Sequence, residues 1–186
     1  MGFSEPRVFI DWPGLPHGLT GAKAPTILSY APTAWNEQPL AAWGFEAASS
    51  VTMAYFKTLL QPDQNQPAIS TQEQRVDRAI TDYLGCLHSC IQTYFTPTQL
   101  GTTWQKAIIE FRFSVPAGWE ANTVNRFVRH AASAGFQTSD GNHTIGTILT
   151  ESAAAAIFAI KEGLAGIRVS ADIIQRADGP STHPIH

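Results

Sequence analysis

The sequence predicts an α/β fold in which a mixed sheet packs against helices. Beyond Ala107, apolar stretches of strand length alternate with amphipathic stretches of helix length, in the order strand, helix, strand, helix. That order indicates parallel strands joined by a right-handed crossover. Earlier in the chain, apolar residues recur every three or four positions from Val76 to Tyr94, which is typical of a long helix with one apolar side.

Short strands are expected before the long helix. They cover Val8–Trp12, Thr26–Tyr30 and Leu40–Trp43, and Pro13 should end the first of them. Residues 62–67 are rich in Gln, Asn and Pro, so we expect a polar linker there.

The long helix is predicted from about residue 72 to residue 96. Ser70 and Glu73 have the spacing of a capping box, in which each side chain satisfies a free backbone donor of the other residue. Pro97 should end the helix, because proline lacks the backbone donor that a helix needs. We expect this helix and the early strands to form a piece separate from the later strands and helices. The apolar face comprises Val76, Ile80, Tyr83, Leu84, Leu87, Ile91 and Tyr94, and the opposite face carries Asp77, Arg78 and Asp82.

The first strand after the long helix is expected over Ala107–Val115, where one face is strongly apolar and Pro116 closes the segment. Asn122 or Thr123 can cap the next helix, which should run to about Ser133.

The remaining elements follow in the same alternation. Gly135 suits the C-terminal end of the preceding helix. A strand is expected over His143–Leu149, and Thr150 can cap a helix over Ala153–Ile160 that ends at Gly163.

Composition argues against some classes of function. The chain has 186 residues, of which 44% are hydrophobic and 15% are charged, so it can bury a core. Its 12 basic and 15 acidic residues give a net charge of -3, and this balance gives no electrostatic support for a nucleic-acid partner. The longest apolar run, Ala153–Ile160, is too short to span a bilayer, so no membrane association is expected.

Residues near the N-terminus and the cysteines bear on compartment and metal binding. Met1–Pro6 lacks the basic start and apolar core of a secretory signal, so we expect a cytoplasmic protein. Cys86 and Cys90 are too few for a disulfide scaffold. They should share one face of the long helix while His88 points away, and no second ligand pair follows at zinc-site spacing. No metal site is therefore predicted.

A series of motifs resembles one protein family. Phe-Arg-Phe-Ser-Val-Pro-Ala at residues 111–117 is followed by Ala-Gly-Phe at 134–136 and by Thr-Glu-Ser-Ala-Ala-Ala-Ala at 150–156. Their order and spacing resemble a strand, a helix end and an alanine-rich helix in the ATPase domain of the heat shock protein 70 family. Asp-Trp-Pro-Gly at 11–14, Lys-Ala-Pro-Thr at 23–26, Trp-Gly at 43–44 and Phe-Lys-Thr-Leu-Leu at 56–60 resemble the divergent, fungal-type branch of that family.

The resemblance implies an incomplete lobe of the ribonuclease H-like, actin-like ATPase fold. Residues 1–163 would form this partial first lobe, with the long helix as an appended subdomain, and residues 164–186 would be a divergent, partly disordered tail. The family holds the phosphates of Mg-ATP on the backbone N–H groups of two glycine-rich hairpins. We expect the chain to start after the first hairpin, and Gly166–Ile174 lacks the glycine triplet of the second. Enzymatic activity is therefore open, and we expect this chain alone not to hydrolyse ATP.

Residue roles also follow from the resemblance. Lys57 matches the catalytic lysine near the γ-phosphate, and the alternative is an exposed helix lysine. Glu151 matches the catalytic glutamate that organises water and Mg²⁺, and the alternative is an acidic residue that stabilises a first helical turn. Pro116 matches the proline that relays nucleotide state between lobes, and the alternative is an ordinary end of a strand. The family's relay arginine falls at Val124, with Arg126 out of register.

Alternatives for the function remain open at this point. The resemblance implies a chaperone-like, nucleotide-binding fragment with ATP and Mg²⁺ as cofactors and client proteins or cochaperones as partners. The alternative is a truncated, non-catalytic remnant or partner-binding lobe that takes no cofactor and associates through an exposed lobe interface. An unrelated enzyme has no motif in its favour, because Gly-x-Ser-x-Gly, His-Glu-x-x-His and Gly-x-Gly-x-x-Gly are absent from the sequence.

Overall fold

A computed structural model describes residues 8–18, 23–32, 39–47, 52–61 and 70–161. The predictions for the linker at residues 62–67, for Gly163 and for the tail at residues 164–186 lie outside these ranges. Within them the chain has a mixed α/β structure with small sheets and packed helices. The strands are β1 (Ile27–Tyr30), β2 (Leu40–Trp43), β3 (Thr52–Ala54), β4 (Ile109–Phe111), β5 (Ser114–Val115), β6 (His143–Ile145) and β7 (Leu149–Thr150). The α-helices are α1 (Phe56–Leu59), α2 (Ser70–Tyr94), α3 (Pro97–Leu100), α4 (Ala121–Ala131) and α5 (Glu151–Lys161).

The early strands form an antiparallel sheet in the order β2-β1-β3. The strands predicted at Thr26–Tyr30 and Leu40–Trp43 are confirmed within one residue. The strand predicted at Val8–Trp12 is wrong, because this segment is irregular. There the Phe9 ring lies edge-on to Trp12 and Tyr94, with ring centroids 4.5 and 5.0 Å apart. The segment is therefore held by aromatic contacts instead of strand pairing.

The later strands pair in parallel, as predicted, but each predicted strand is divided in two. β4 pairs with β6, and β5 pairs with β7. Phe111 pairs with Ile145, and Ser114 pairs with Leu149. Between these two pairs, the segment that joins β6 to β7 contains one residue more than the segment that joins β4 to β5. This extra residue is an irregularity of the bulge type, and it breaks the ladder. The continuous strands expected over Ala107–Val115 and His143–Leu149 are therefore wrong in length.

The crossover helix α4 starts earlier than its predicted caps. Glu120 occupies the extended position before the helix, so the expectation that Asn122 or Thr123 caps it is wrong. The preference for Gly135 at the helix end is confirmed, since this residue has φ +103° in the π-helical turn that follows α4. A Cβ at Gly135 would lie 3.1 Å from the His88 ring, so glycine also allows α2 to approach closely.

One hydrophobic core joins the two parts of the chain, and α2 runs through it. Trp43 and Met53 of the first sheet and Phe111 and Ile145 of the second pack against this core. No helix within the described ranges is long and apolar enough to cross a membrane. The buried members of the core are Leu28, Tyr30, Phe56, Leu60, Val76, Ala79, Ile80, Leu84, Ala131 and Phe136.

Candidate functional site

The structure brings together two of the residues that the sequence singled out. Lys57 Nζ lies 2.5 Å from Glu151 Oε1 and donates a hydrogen bond to it, although 94 positions separate the two residues in the chain. The side chains are 43% and 53% exposed, so both charges face solvent. An exposed pair of this kind contributes about 0 to 1 kcal/mol to stability, so stability alone is a weak reason for its presence.

The short helix α1 presents Lys57. Phe56 and Leu60 are buried in the core on either side of it and fix the orientation of the turn. Strand β3 ends at Ala54, so Tyr55 alone joins strand to helix, with φ 60° and ψ 13°. A mostly apolar cavity of 330 Å³ beside this turn is lined by Pro25, Thr26, Ile27, Ala54, Tyr55, Lys57 and Thr58.

Helix α5 presents Glu151 at its first position, directly after β7. Thr150 Oγ1 accepts a hydrogen bond from the backbone N–H of Ala153 at 3.2 Å, which confirms Thr150 as the predicted cap. The Glu151 side chain thus lies at the N-terminus of α5, where the helix dipole attracts negative charge, and next to Lys57.

Pro116 lies at the same edge of the molecule as Glu151. Val115 is paired with Thr150 in the parallel strands, and Pro116 and Glu151 are the residues that follow them. Because parallel strands run in one direction, both residues lie at the carboxyl ends of β5 and β7. Pro116 is half-buried, and its carbonyl accepts the backbone N–H of Trp119 at 3.1 Å.

A second cluster of charges joins α2 to α4, and the sequence did not predict it. Asp77 Oδ1 accepts hydrogen bonds from Arg126 Nε and His130 Nε2, each at 2.7 Å. The other ring nitrogen of His130, Nδ1, lies 2.9 Å from Thr81 Oγ1. A signal was present, because Asp77 and Thr81 are four positions apart on one helix and Arg126 and His130 four apart on the other. Arg126 is thus engaged with α2.

The electrostatics of this second cluster favour charged groups. Burial by itself would raise the pKa of Asp77, but the hydrogen bonds and charges of Arg126 and His130 outweigh it and hold the pKa below its ordinary value. The carboxylate therefore stays ionised and links α2 to α4 through its hydrogen bonds.

A groove of 830 Å³ runs along α2. Cys86 and Cys90 both line it, which confirms that they share a face. Burial, with the charges of Asp82 and Glu46, raises the pKa of the Cys86 thiol to about 11. A thiol in this state is mostly protonated and weakly nucleophilic at neutral pH, so the groove is a poor candidate for thiol chemistry.

His88 points into an aromatic cluster on the other side of α2. Its ring centroid lies 5.1 Å from Phe136 and 5.6 Å from Trp104. His143 packs on Trp104 as well and is 2% exposed. His88 Nε2 and His143 Nδ1 are buried without a hydrogen-bond partner in the described protein. Burial, with the nearby His143, lowers the pKa of His88.

Among the residues that the structure describes, no group of three or more His, Cys, Asp or Glu side chains is arranged to hold a metal ion. Glu151 remains the only carboxylate that the resemblance relates to Mg²⁺, and a hydrated Mg²⁺ needs few protein ligands. No family model, no curated protein and no solved structure matches the chain.

Proposed function

We propose that the chain is a heat shock protein 70-like nucleotide-binding fragment of an actin-like ATPase lobe. The corner formed by Lys57, Glu151 and Pro116 would receive the phosphate and Mg²⁺ end of ATP. One observation carries the proposal: the two residues that the resemblance relates to catalysis meet in an exposed ion pair. The shared carboxyl edge of β5 and β7 adds Pro116 to the same place.

The chemistry of the pair fits the two halves of Mg-ATP. The Lys57 ammonium suits a phosphate oxygen, and the Glu151 carboxylate suits the water shell of Mg²⁺. In such a complex Lys57 would hold the terminal phosphate, and Glu151 would orient the hydrated ion. Mg²⁺ itself would neutralise phosphate charge.

Hydrolysis by this chain alone is not part of the proposal. Phosphoryl transfer depends on positioning and on electrostatic stabilisation by converging donors. The segment Gly166–Ile174 lacks the glycine triplet that supplies such donors in the family. We therefore expect weak nucleotide binding without turnover.

A second function is favoured by the exposed apolar surface of α5. Ile157, Phe158 and Ile160 are 44%, 54% and 77% exposed. Exposed apolar groups on one helix favour association with another protein surface. The alternative is thus a non-catalytic lobe that binds a partner and takes no nucleotide.

The test observes the corner directly. Weak binding produces little thermal stabilisation, about 0.4 kcal/mol when the ligand concentration equals Kd, so melting is a poor assay. We expect Mg-ATP at millimolar concentration to shift the NMR signals of the Lys57 and Glu151 side chains. Lys57→Met and Glu151→Gln should each weaken this response.

The matched control is a second exposed ion pair, Glu110 with Arg112. Glu110→Gln also removes one acidic charge and should leave the response to Mg-ATP unchanged. If Mg-ATP shifts no signal at the corner, or if Glu110→Gln weakens the response as much as Glu151→Gln, the nucleotide-binding proposal is wrong.

A further inference from the structure

Tyr55 has a backbone conformation that its side chain does not favour. It is the one residue other than glycine with a positive φ among those that the structure describes. The left-handed region crowds the Cβ of an L-residue against the following carbonyl, so it is normally left to glycine or asparagine. Strain of this kind persists where the surrounding structure imposes it, often at functional sites.

The surroundings of Tyr55 explain what imposes it. Ala54 is the last residue of β3, Phe56 is the first residue of α1, and Phe56 is 2% exposed. The change from strand to helix must therefore occur within one residue. The Tyr55 carbonyl accepts both the backbone N–H and the hydroxyl of Thr58, at 2.9 and 2.7 Å, which holds the turn closed.

The Tyr55 ring itself contributes little to this turn, since the residue is 80% exposed. Two positions later, Lys57 points outward to Glu151. A different φ at Tyr55 would rotate the start of α1 and move Lys57 relative to α5.

We propose that Tyr55 is a positioning residue: its left-handed backbone turns β3 directly into α1 and thereby aims Lys57 at Glu151. This inference rests on the proposed function for its biological meaning, because Lys57 is the residue that would hold a phosphate.

The test measures the accessibility of the Lys57 amine without nucleotide. The rate of acylation of Lys57 by a limiting reagent is measured by peptide mass spectrometry, with exposed Lys106 in the same protein as the internal reference. Glu151→Gln removes the ion pair and sets the upper value, which we expect to be about two- to fivefold above wild type.

Two substitutions at Tyr55 separate backbone from side chain. Tyr55→Val disfavours the left-handed region and should raise the relative rate at Lys57 to the Glu151→Gln value. Tyr55→Asn tolerates that region and should keep the wild-type rate. Tyr94→Val makes the same change at the end of α2, where φ is not positive, and should also keep the wild-type rate.

The proposal is overturned if Tyr55→Val keeps the wild-type rate, or if Tyr55→Asn raises the rate as much as Tyr55→Val does. If circular dichroism shows that the valine variant does not fold, Tyr55→Thr replaces it, since threonine is also β-branched and disfavours this region more than tyrosine does. An unchanged rate in the threonine variant then overturns the proposal. Because the assay contains no ATP, failure of Mg-ATP to perturb the corner would reject the proposed function and leave this result standing.

Discussion

Two ion pairs each join helices that lie far apart in the sequence, and they differ in surroundings. Asp77 and Arg126 are 36% and 17% exposed, and Asp77 also accepts from His130. Lys57 and Glu151 are 43% and 53% exposed and join only two side chains. Charges that share several hydrogen bonds in a half-buried interface fasten helices. Charges that face water contribute less to stability and stay accessible to a ligand. The first pair is therefore a half-buried link between α2 and α4, and the second is a candidate site.

The largest effect should come from the hydrophobic core. Phe136 is 2% exposed and Phe158 is 54% exposed. Phe136→Ala should lower the free energy of unfolding by about 3 to 5 kcal/mol, because it leaves a cavity. Phe158→Ala is the matched control on α5 and should change it by less than about 1 kcal/mol. Urea unfolding measures both, and equal losses would contradict a single core that includes Phe136.

The second prediction concerns the half-buried link that Asp77 forms between α2 and α4. Asp77→Asn should lower the free energy of unfolding by about 1 to 2 kcal/mol, because Arg126 and His130 lose their charged acceptor in a partly solvated interface. The stabilisation by Asp77 should be present above the ordinary Asp pKa and lost as pH falls through the lowered pKa in the folded state. Urea unfolding at pH 7 and at pH 3 checks both statements. Glu110→Gln serves as the exposed control. If it lowers the free energy of unfolding as much as Asp77→Asn does, half-buried and exposed ion pairs do not differ in their contribution to stability.

A third prediction uses the buried aromatic cluster. Because burial and His143 lower the pKa of His88, the unfolded chain takes up a proton more readily than the folded one. Stability should therefore fall as pH drops below the ordinary histidine value of about 6.5, by at most about 1.4 kcal/mol per pH unit for one proton. Thermal melting from pH 7.5 to pH 5.5 measures this slope. His88→Phe should reduce the slope, and exposed His17→Gln should leave it unchanged; a slope unaffected by His88→Phe would exclude this histidine as the cause.

The smallest expected effect lies at the corner. Glu151→Gln should change the free energy of unfolding by less than about 1 kcal/mol, since the pair is exposed and screened by solvent. Salt should weaken the pair further, because ions screen charges that face water. Urea unfolding at low and high ionic strength gives the comparison with Asp77→Asn. If Glu151→Gln lowers the free energy of unfolding as much as Asp77→Asn does, the ion pair at the corner stabilises the fold. The argument that its charges are accessible to a ligand is then wrong.

The fold was predictable where the pattern is local. The period of apolar residues placed α2 within two residues of its observed ends, and the strands expected at Thr26–Tyr30 and Leu40–Trp43 match β1 and β2. The strand expected at Val8–Trp12 failed because strand formation needs backbone partners, and a sequence pattern does not specify them. The break between β4 and β5 depends on one extra residue in the partner segment, so neither segment reveals it alone.

The candidate site was predictable only in part. The resemblance selected Lys57, Glu151 and Pro116, and the structure puts the first two in contact and the third at the same strand edge. The resemblance did not predict that the lysine and the glutamate form an ion pair with each other. Nor did it identify the strained backbone at Tyr55, because a positive φ at a tyrosine has no sequence signature.

By itself, the sequence determined the period of α2 and the cap at Thr150, because each depends on residues close together in the chain. It also determined the parallel order of the later strands, because a helix between two strands allows the crossover that parallel pairing needs. Only the tertiary structure decided which charges meet. Asp77 contacts Arg126 although 49 positions separate them, and Lys57 contacts Glu151 although 94 positions separate them. The same packing leaves the first pair half-buried and the second exposed to water. The strength of a charge pair depends on its solvent exposure, which long-range packing sets.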